Sequence, residues 1–186
     1  MIGSTQCLML NAQWRTSCFN EYSLKMIKIY FDDTDVSASI FAQMAQKLAA
    51  AALNVLNLEG NFSLSFTFLD EAEMCALNFE SRGKDTATDV LSFPTLEIKA
   101  AGVVNIAEYP PEEFEPDTGA LFLGDIVICP DVAKRQAAEF GHGEEREFSY
   151  LFVHGVLHLL GFDHIKAGDK AGMREVEESI LLKDNR

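Results

Sequence analysis

Phe62, Leu64, Phe66 and Phe68 alternate with Ser63, Ser65 and Thr67. A period of two of this kind fits an extended strand with one buried face and little else. The pattern then switches within two residues. Asp70 followed by Glu73 reads as a capping-box-like start for a helix through about residue 81. The same switching recurs elsewhere. Ile27, Ile29 and Phe31 alternate with Lys28 and Tyr30 as a strand, and Asp35 then caps a helix. Along that helix Ile40, Phe41, Met44, Leu48, Ala52 and Val55 recur at helical spacing, to about residue 56. Val90 to Phe93 reads as a short strand closed by Pro94, and Leu121 to Ile128 as another, stopped at Pro130. Asp131 caps a helix to about residue 140, which Gly141-His142-Gly143 breaks. Further helices are expected over 144–160, stopped by Gly161, and over 169–182. About four strands and about five helices without strict βαβ alternation define an α+β chain: a single domain built on one small sheet.

Composition narrows the setting. At 186 residues and 48% hydrophobic, the chain can bury one domain and is short for two. No apolar run reaches the roughly 18–20 residues needed to cross a bilayer, so a membrane is not an expected partner. The N-terminus has no basic residue before its short apolar patch, and Asn11 and Gln13 interrupt that patch, which makes a poor secretory signal. Cys7, Cys18, Cys75 and Cys129 are scattered, as befits reduced thiols in a cytoplasmic protein. Residues 1–25 carry little periodicity and are expected to be an irregular extension of the domain at 26–186. Residues 95–120 hold Pro110, Pro111 and the acidic Glu112, Glu113, Glu115 and Asp117; they are expected to form a long surface loop, either a functional lid or mobile decoration. The formal net charge is −14. Nucleic-acid binders usually carry a basic stripe, so a chain this acidic needs a local cationic site, a bound metal or a delivering partner to act on RNA.

The strongest chemical signal is 154-HGVLHLLGFDH-164. His154 and His158 are four residues apart on an expected helix, so their imidazoles leave the same face about one turn apart. Gly161 lets the chain turn and bring His164 back toward them. Three neutral imidazoles suit a borderline cation, Zn²⁺ first, and leave a fourth position open, as catalytic sites do. A single buried histidine is ordinarily a hydrogen-bonded core residue, but three of the chain's four histidines fall within eleven residues. His142, alone in its Gly-flanked turn, takes the structural reading. The spacing is also that of the metzincin peptidases, His-Glu-x-x-His-x-x-Gly-x-x-His. Their general-base Glu is replaced here by Gly155, which argues against peptide hydrolysis.

A second stretch, 77-LNFESRGKDTATDVLSFP-94, presents Arg82 and Lys84 where a helix ends. Arginine can hold a phosphate through two parallel N–H bonds; the same residues would also serve in an ordinary polar loop. A third marker is 123-LGDIVICP-130. Taken together, Leu77-Asn78, Arg82 to Asp85, Thr88 to Pro94, Leu123 to Ile126 and His154 to His164 resemble, in order, the motifs of the YbeY family of bacterial endoribonucleases, also described as rRNA maturation factors. The similarity spans roughly residues 26–182. Phe162 stands where that family often has Tyr, Ser81 and Ala87 where an aromatic and Pro are frequent, and Cys129 where Ser is usual.

The resemblance implies a mixed sheet, one zinc ion on His154, His158 and His164, and cleavage of single-stranded RNA. It further implies a role in ribosomal RNA processing, notably at the 3′ end of the small-subunit RNA, and in ribosome quality control. Arg82 takes the place of the family's phosphate-contacting arginine. Asp163 could orient His164, take a proton, or serve as a plain turn residue. Glu147, upstream of His154 on the same expected helix, is expected to be a solvated helix residue unless it supports the site. Ribosomal RNA is the expected partner, with small-subunit ribosomal proteins or assembly factors beside it, and DNA is not expected. A rival reading is a non-catalytic, zinc-stabilised assembly factor whose acidic face meets basic ribosomal proteins. A metallopeptidase is the weaker rival.

Overall fold

The strands that the alternation predicts assemble into one sheet. The computed structural model describes residues 26–31, 36–163 and 167–184. The expected extension at 1–25, the expected cap at Asp35 and the expected ligand His164 lie outside the described residues. In chain order the strands and helices are β1 (Met26–Phe31), α1 (Val36–Val55), β2 (Asn61–Phe68), α2 (Glu71–Arg82), β3 (Val90–Pro94), β4 (Leu121–Ile128), α3 (Pro130–Phe140), α4 (Glu144–Leu159) and α5 (Ala167–Asp184). The sheet order is β1-β2-β4-β3. β1, β2 and β4 run parallel and β3 is the antiparallel edge, so the fold is α+β with a mixed four-stranded sheet. None of the described helices is long and apolar enough to cross a membrane.

The central strands are buried on both faces, which alternation in β2 alone does not reveal. Phe62, Leu64 and Phe66 enter the main core, yet Ser63 is also fully buried because its hydroxyl donates to the Glu115 carboxylate at 2.6 Å. In β4 the apolar phase flips. Leu121 and Leu123 share a core with Ile126 and Ile128, so the alternation shifts from odd-numbered to even-numbered positions. The reason is a bulge: Ser63 pairs with Phe122 and Ser65 with Asp125, so Leu123 and Gly124 of β4 together oppose the single Leu64 of β2. Gly124 sits in it at φ 131, and a Cβ there would meet the Phe93 carbonyl oxygen at 2.2 Å. Only glycine lets β3 close on β4 at that point. On the opposite face Met74, Leu91, Val127 and Cys129 form a smaller cluster.

Helix α4 runs through the middle of the molecule, with Phe148, Leu151, Phe152, Val153, Val156, Leu157 and Leu159 all buried. It packs against α1, α3, α5, β3 and β4. Phe41, Phe66 and Phe68 meet Phe148 with ring centroids 4.5 to 5.9 Å apart, distances at which tilted and edge-on ring pairs add to the area they bury.

Two expectations change. Asp131 does not cap α3; Pro130 takes the first helical position, so the cap falls on Cys129, as proline's fixed φ and missing N–H favour. The 95–120 connection is not wholly a surface loop. Leu96 and Val104 are buried, and Gly102 N–H donates to the Leu160 carbonyl at 2.9 Å. The Glu115 carboxylate accepts from Ser63, from Tyr30 at 2.7 Å and from Thr118 at 2.6 Å. These hydrogen bonds hold its carboxyl below the ordinary range although burial pushes the other way.

Candidate active site

His154 and His158 project from the last two turns of α4. Their rings stand edge to face, centroids 4.6 Å apart, and their Nε2 atoms approach to 3.1 Å. The other nitrogen of each ring is engaged. Nδ1 of His158 donates to the Phe162 carbonyl at 3.0 Å, and Nδ1 of His154 donates to Glu177 Oε1 at 2.7 Å. A carbonyl and a carboxylate can only accept, so both rings carry their hydrogen on Nδ1. In the neutral form of each ring Nε2 then carries a lone pair, and two lone pairs at that distance repel unless a proton or a cation lies between them. Two nitrogens bound at the usual zinc distance in a tetrahedral site lie about 3.3 Å apart. The donor set fits a borderline cation.

The turn that follows depends on Gly161, at φ 81, where a Cβ would press on Ile98 at 3.0 Å. It places the Phe162 carbonyl under His158 and leaves Asp163 exposed at the end of the turn. His164 comes next and lies outside the described residues; among those residues no group of three His, Cys, Asp or Glu side chains forms a metal site.

Arg82 is brought to the same place. It ends α2 and lines a cleft of about 310 Å³ with Thr88, Asp89, Ser92, Tyr150 and the two histidines. No carboxylate pairs with it among the described residues. The loop that carries it back to β3 is held by Asn78, buried, whose amide donates to the Thr86 carbonyl at 2.7 Å. Asp89 is spoken for: it accepts from the Val90 N–H, the Thr88 hydroxyl and the Gln136 amide. It holds the cleft wall and is not poised as a base.

Gly155, where a peptidase would have its base, faces the sheet at close range. A Cβ would lie 3.0 Å from Ile126 Cγ2 and 3.2 Å from the Ser92 hydroxyl. The position is filled by β3 and β4, so a glutamate could not be housed there without displacing them.

Sequence reasoning missed Glu177. Met173, Glu177 and Ile180 are all buried on α5, so a carboxylate interrupts an apolar stripe at helical spacing, and that interruption was the available signal. Glu147 is corrected too. It is buried, not solvated, and its Oε2 meets His142 Nε2 at 3.1 Å. Burial pushes its carboxyl above the ordinary range and the His142 imidazole pulls it back. Burial likewise raises the Tyr150 phenol, with the Glu177 carboxylate adding to the effect.

Comparison with known proteins gives a consistent picture. Residues 27–185 match the family described as Endoribonuclease YbeY. An endoribonuclease YbeY of Agathobacter rectalis is 39% identical over 142 residues, 76% of this chain and 86% of the relative. That of Clostridium beijerinckii is 39% identical over 84% of this chain and 97% of its own length, and that of Caldicellulosiruptor bescii 38% over 83% and 96%. A solution structure of a Thermotoga maritima protein superimposes with a TM-score of 0.50 at 23% identity, covering 86% of this chain and 92% of the other, a likeness of fold.

Proposed function

This chain belongs to the endoribonuclease YbeY family, and from that premise we propose that it is a cytoplasmic, zinc-dependent endoribonuclease that cleaves single-stranded RNA during ribosomal RNA maturation, at the small-subunit 3′ end and in ribosome quality control. One observation carries the reading: the Nε2 atoms of two imidazoles converge to 3.1 Å in a cleft that Arg82 also lines. His154 and His158 would hold the ion with His164 as third ligand, and the bound ion would supply Lewis acidity. Arg82 grips a phosphate oxygen of the substrate and offsets the charge that builds on phosphorus during displacement. Asn78 and Asp89 keep the Arg82 loop and β3 in place, and Tyr150 closes the cleft on the α4 side. Asp163 follows the turn and is assigned to orienting His164 or moving a proton. Ribosomal small-subunit proteins or assembly factors would deliver the RNA to so acidic a chain.

The experiment is a cleavage assay on a labelled RNA strand, alone and annealed to its complement. Each substrate is tested before and after chelation, with zinc per chain measured in parallel. Single-stranded cleavage that vanishes with the metal and returns with zinc is expected. Metal-stripped protein that cuts at the original rate overturns the metal-dependent reading, and untouched RNA at one zinc per chain overturns the nuclease reading.

Glu177 gives a second expectation. A carboxylate that fixes the tautomer of a ligating imidazole typically contributes about 10–100-fold to metal affinity. Glu177→Ala should weaken zinc binding by that factor in a chelator competition, while Glu177→Gln, whose amide oxygen can still accept from Nδ1, should recover part of the loss. Equal zinc affinity in the wild type and Glu177→Ala would remove Glu177 from the site.

A further inference from the structure

Beside the cleft lies a second cavity of about 350 Å³, lined by Phe140, His142, Arg146, Tyr150, Glu177 and Arg174 among others. The two cavities are continuous in their lining: both include Tyr150, and Glu177 reaches from the second to His154 in the first. Along α4 the residues Arg146, Tyr150, His154 and His158 follow one another at four-residue spacing, so one stripe of the helix runs from the histidines into this cavity. From His154 to Arg146 the stripe covers about 12 Å along the helix axis.

The cavity's walls are unusual for so acidic a chain. Phe140 is 66% exposed, and its ring stacks on His142 with centroids 6.1 Å apart and planes 24° from parallel. The carboxylates that face the space all have partners: Glu147 with His142, Glu177 with His154, and Glu178 with Arg174 at 3.4 Å. No carboxylate pairs with Arg146 among the described residues. A phosphate would meet three carboxylates here. A flat, neutral group with acceptor atoms on its rim would meet an open aromatic face and a guanidinium.

We propose that this cavity is a nucleobase subsite, in which an unpaired base next to the scissile phosphate stacks on Phe140 and turns its acceptor edge to Arg146. It rests on the endoribonuclease reading above and gives that reading a physical cause for single-strand preference. A base in a duplex is already stacked on its neighbours and hydrogen-bonded to its partner, whereas a single-stranded base is free to leave the strand. Base–aromatic stacking is also indifferent to which base is offered.

The test uses the full chain, loaded with zinc, and a short single-stranded RNA cut at one phosphodiester. Phe140→Ala should raise KM about 5- to 150-fold, the range for losing one stacked base, with kcat little changed. Phe140→Trp should keep the wild-type KM. An RNA with an abasic residue beside the cut should raise the wild-type KM by a similar factor and leave the Phe140→Ala KM where it was. Arg146→Gln, on the exposed end of the helix, supplies a second variant and should raise KM several-fold. Wild-type KM in Phe140→Ala, or abasic and Phe140→Ala penalties that simply multiply, overturns the subsite while the nuclease reading stands. A wild-type chain that cuts no RNA overturns both.

Discussion

His158→Ala is expected to lose zinc and to slow cleavage of single-stranded RNA by about 10³-fold or more. The size follows from what the ion would supply: Lewis-acid stabilisation of transition-state charge is worth several kcal/mol, and each 1.36 kcal/mol is about tenfold in rate. His158 offers only Nε2 to an ion, because Nδ1 is committed to the Phe162 carbonyl, so no rearrangement of the ring replaces it. Its side chain lines the cleft, while the apolar residues that seat α4, among them Leu151, Phe152, Val156 and Leu159, face the core and are untouched. The variant should therefore keep wild-type helicity by circular dichroism while elemental analysis shows far less than one zinc per chain. A folded His158→Ala protein that retains stoichiometric zinc and full cleavage would sink the metal-centre reading.

Why that histidine pair was legible in sequence, and its support was not, has a physical basis. A four-residue spacing on a helix fixes the relative direction of two side chains before any tertiary contact forms, so His154 and His158 could be placed together from the chain alone. The capping box at Asp70 and Glu73 is equally local, and both of its hydrogen bonds are present. Glu177 lies on a different helix, in a run with Glu175 and Glu178. Composition does not say which of the three turns inward; only the phase set by Met173 and Ile180 does.

Two further features were invisible for the same reason. The phase flip in β4 depends on the extra residue opposite β2, a fact about pairing that β4's own sequence does not contain. Leu96, Ile98, Val104 and Ile106 anchor the long connection between β3 and β4, yet their spacing follows the surface they cover and has no period of its own. Gly155 shows the reverse case. Its identity alone argued against a peptidase, and the sheet atoms within 3.2 Å of its missing side chain supply the reason that glycine is required.

Arg82→Ala separates the chemistry from the metal. Truncation should lower kcat about 10²–10³-fold, the usual effect of removing one preorganised group that stabilises transition-state charge, while zinc per chain stays at the wild-type value because Arg82 is not one of the proposed ligands. Arg82→Lys should recover only part of the rate, since an ammonium cannot grip a phosphate through two parallel bonds. The helix end should survive both changes, because Gly83 donates its N–H to the Phe79 carbonyl and Asn78 holds Thr86 regardless of the side chain at position 82. The same variant divides the enzyme from the assembly factor. A protein that acts only by docking on the ribosome needs its fold and its zinc, both of which Arg82→Ala keeps, so it would restore ribosomal RNA maturation in cells lacking the wild type. An endoribonuclease would leave the precursor ends uncut, and mature 3′ ends in those cells would exclude cleavage by this cleft.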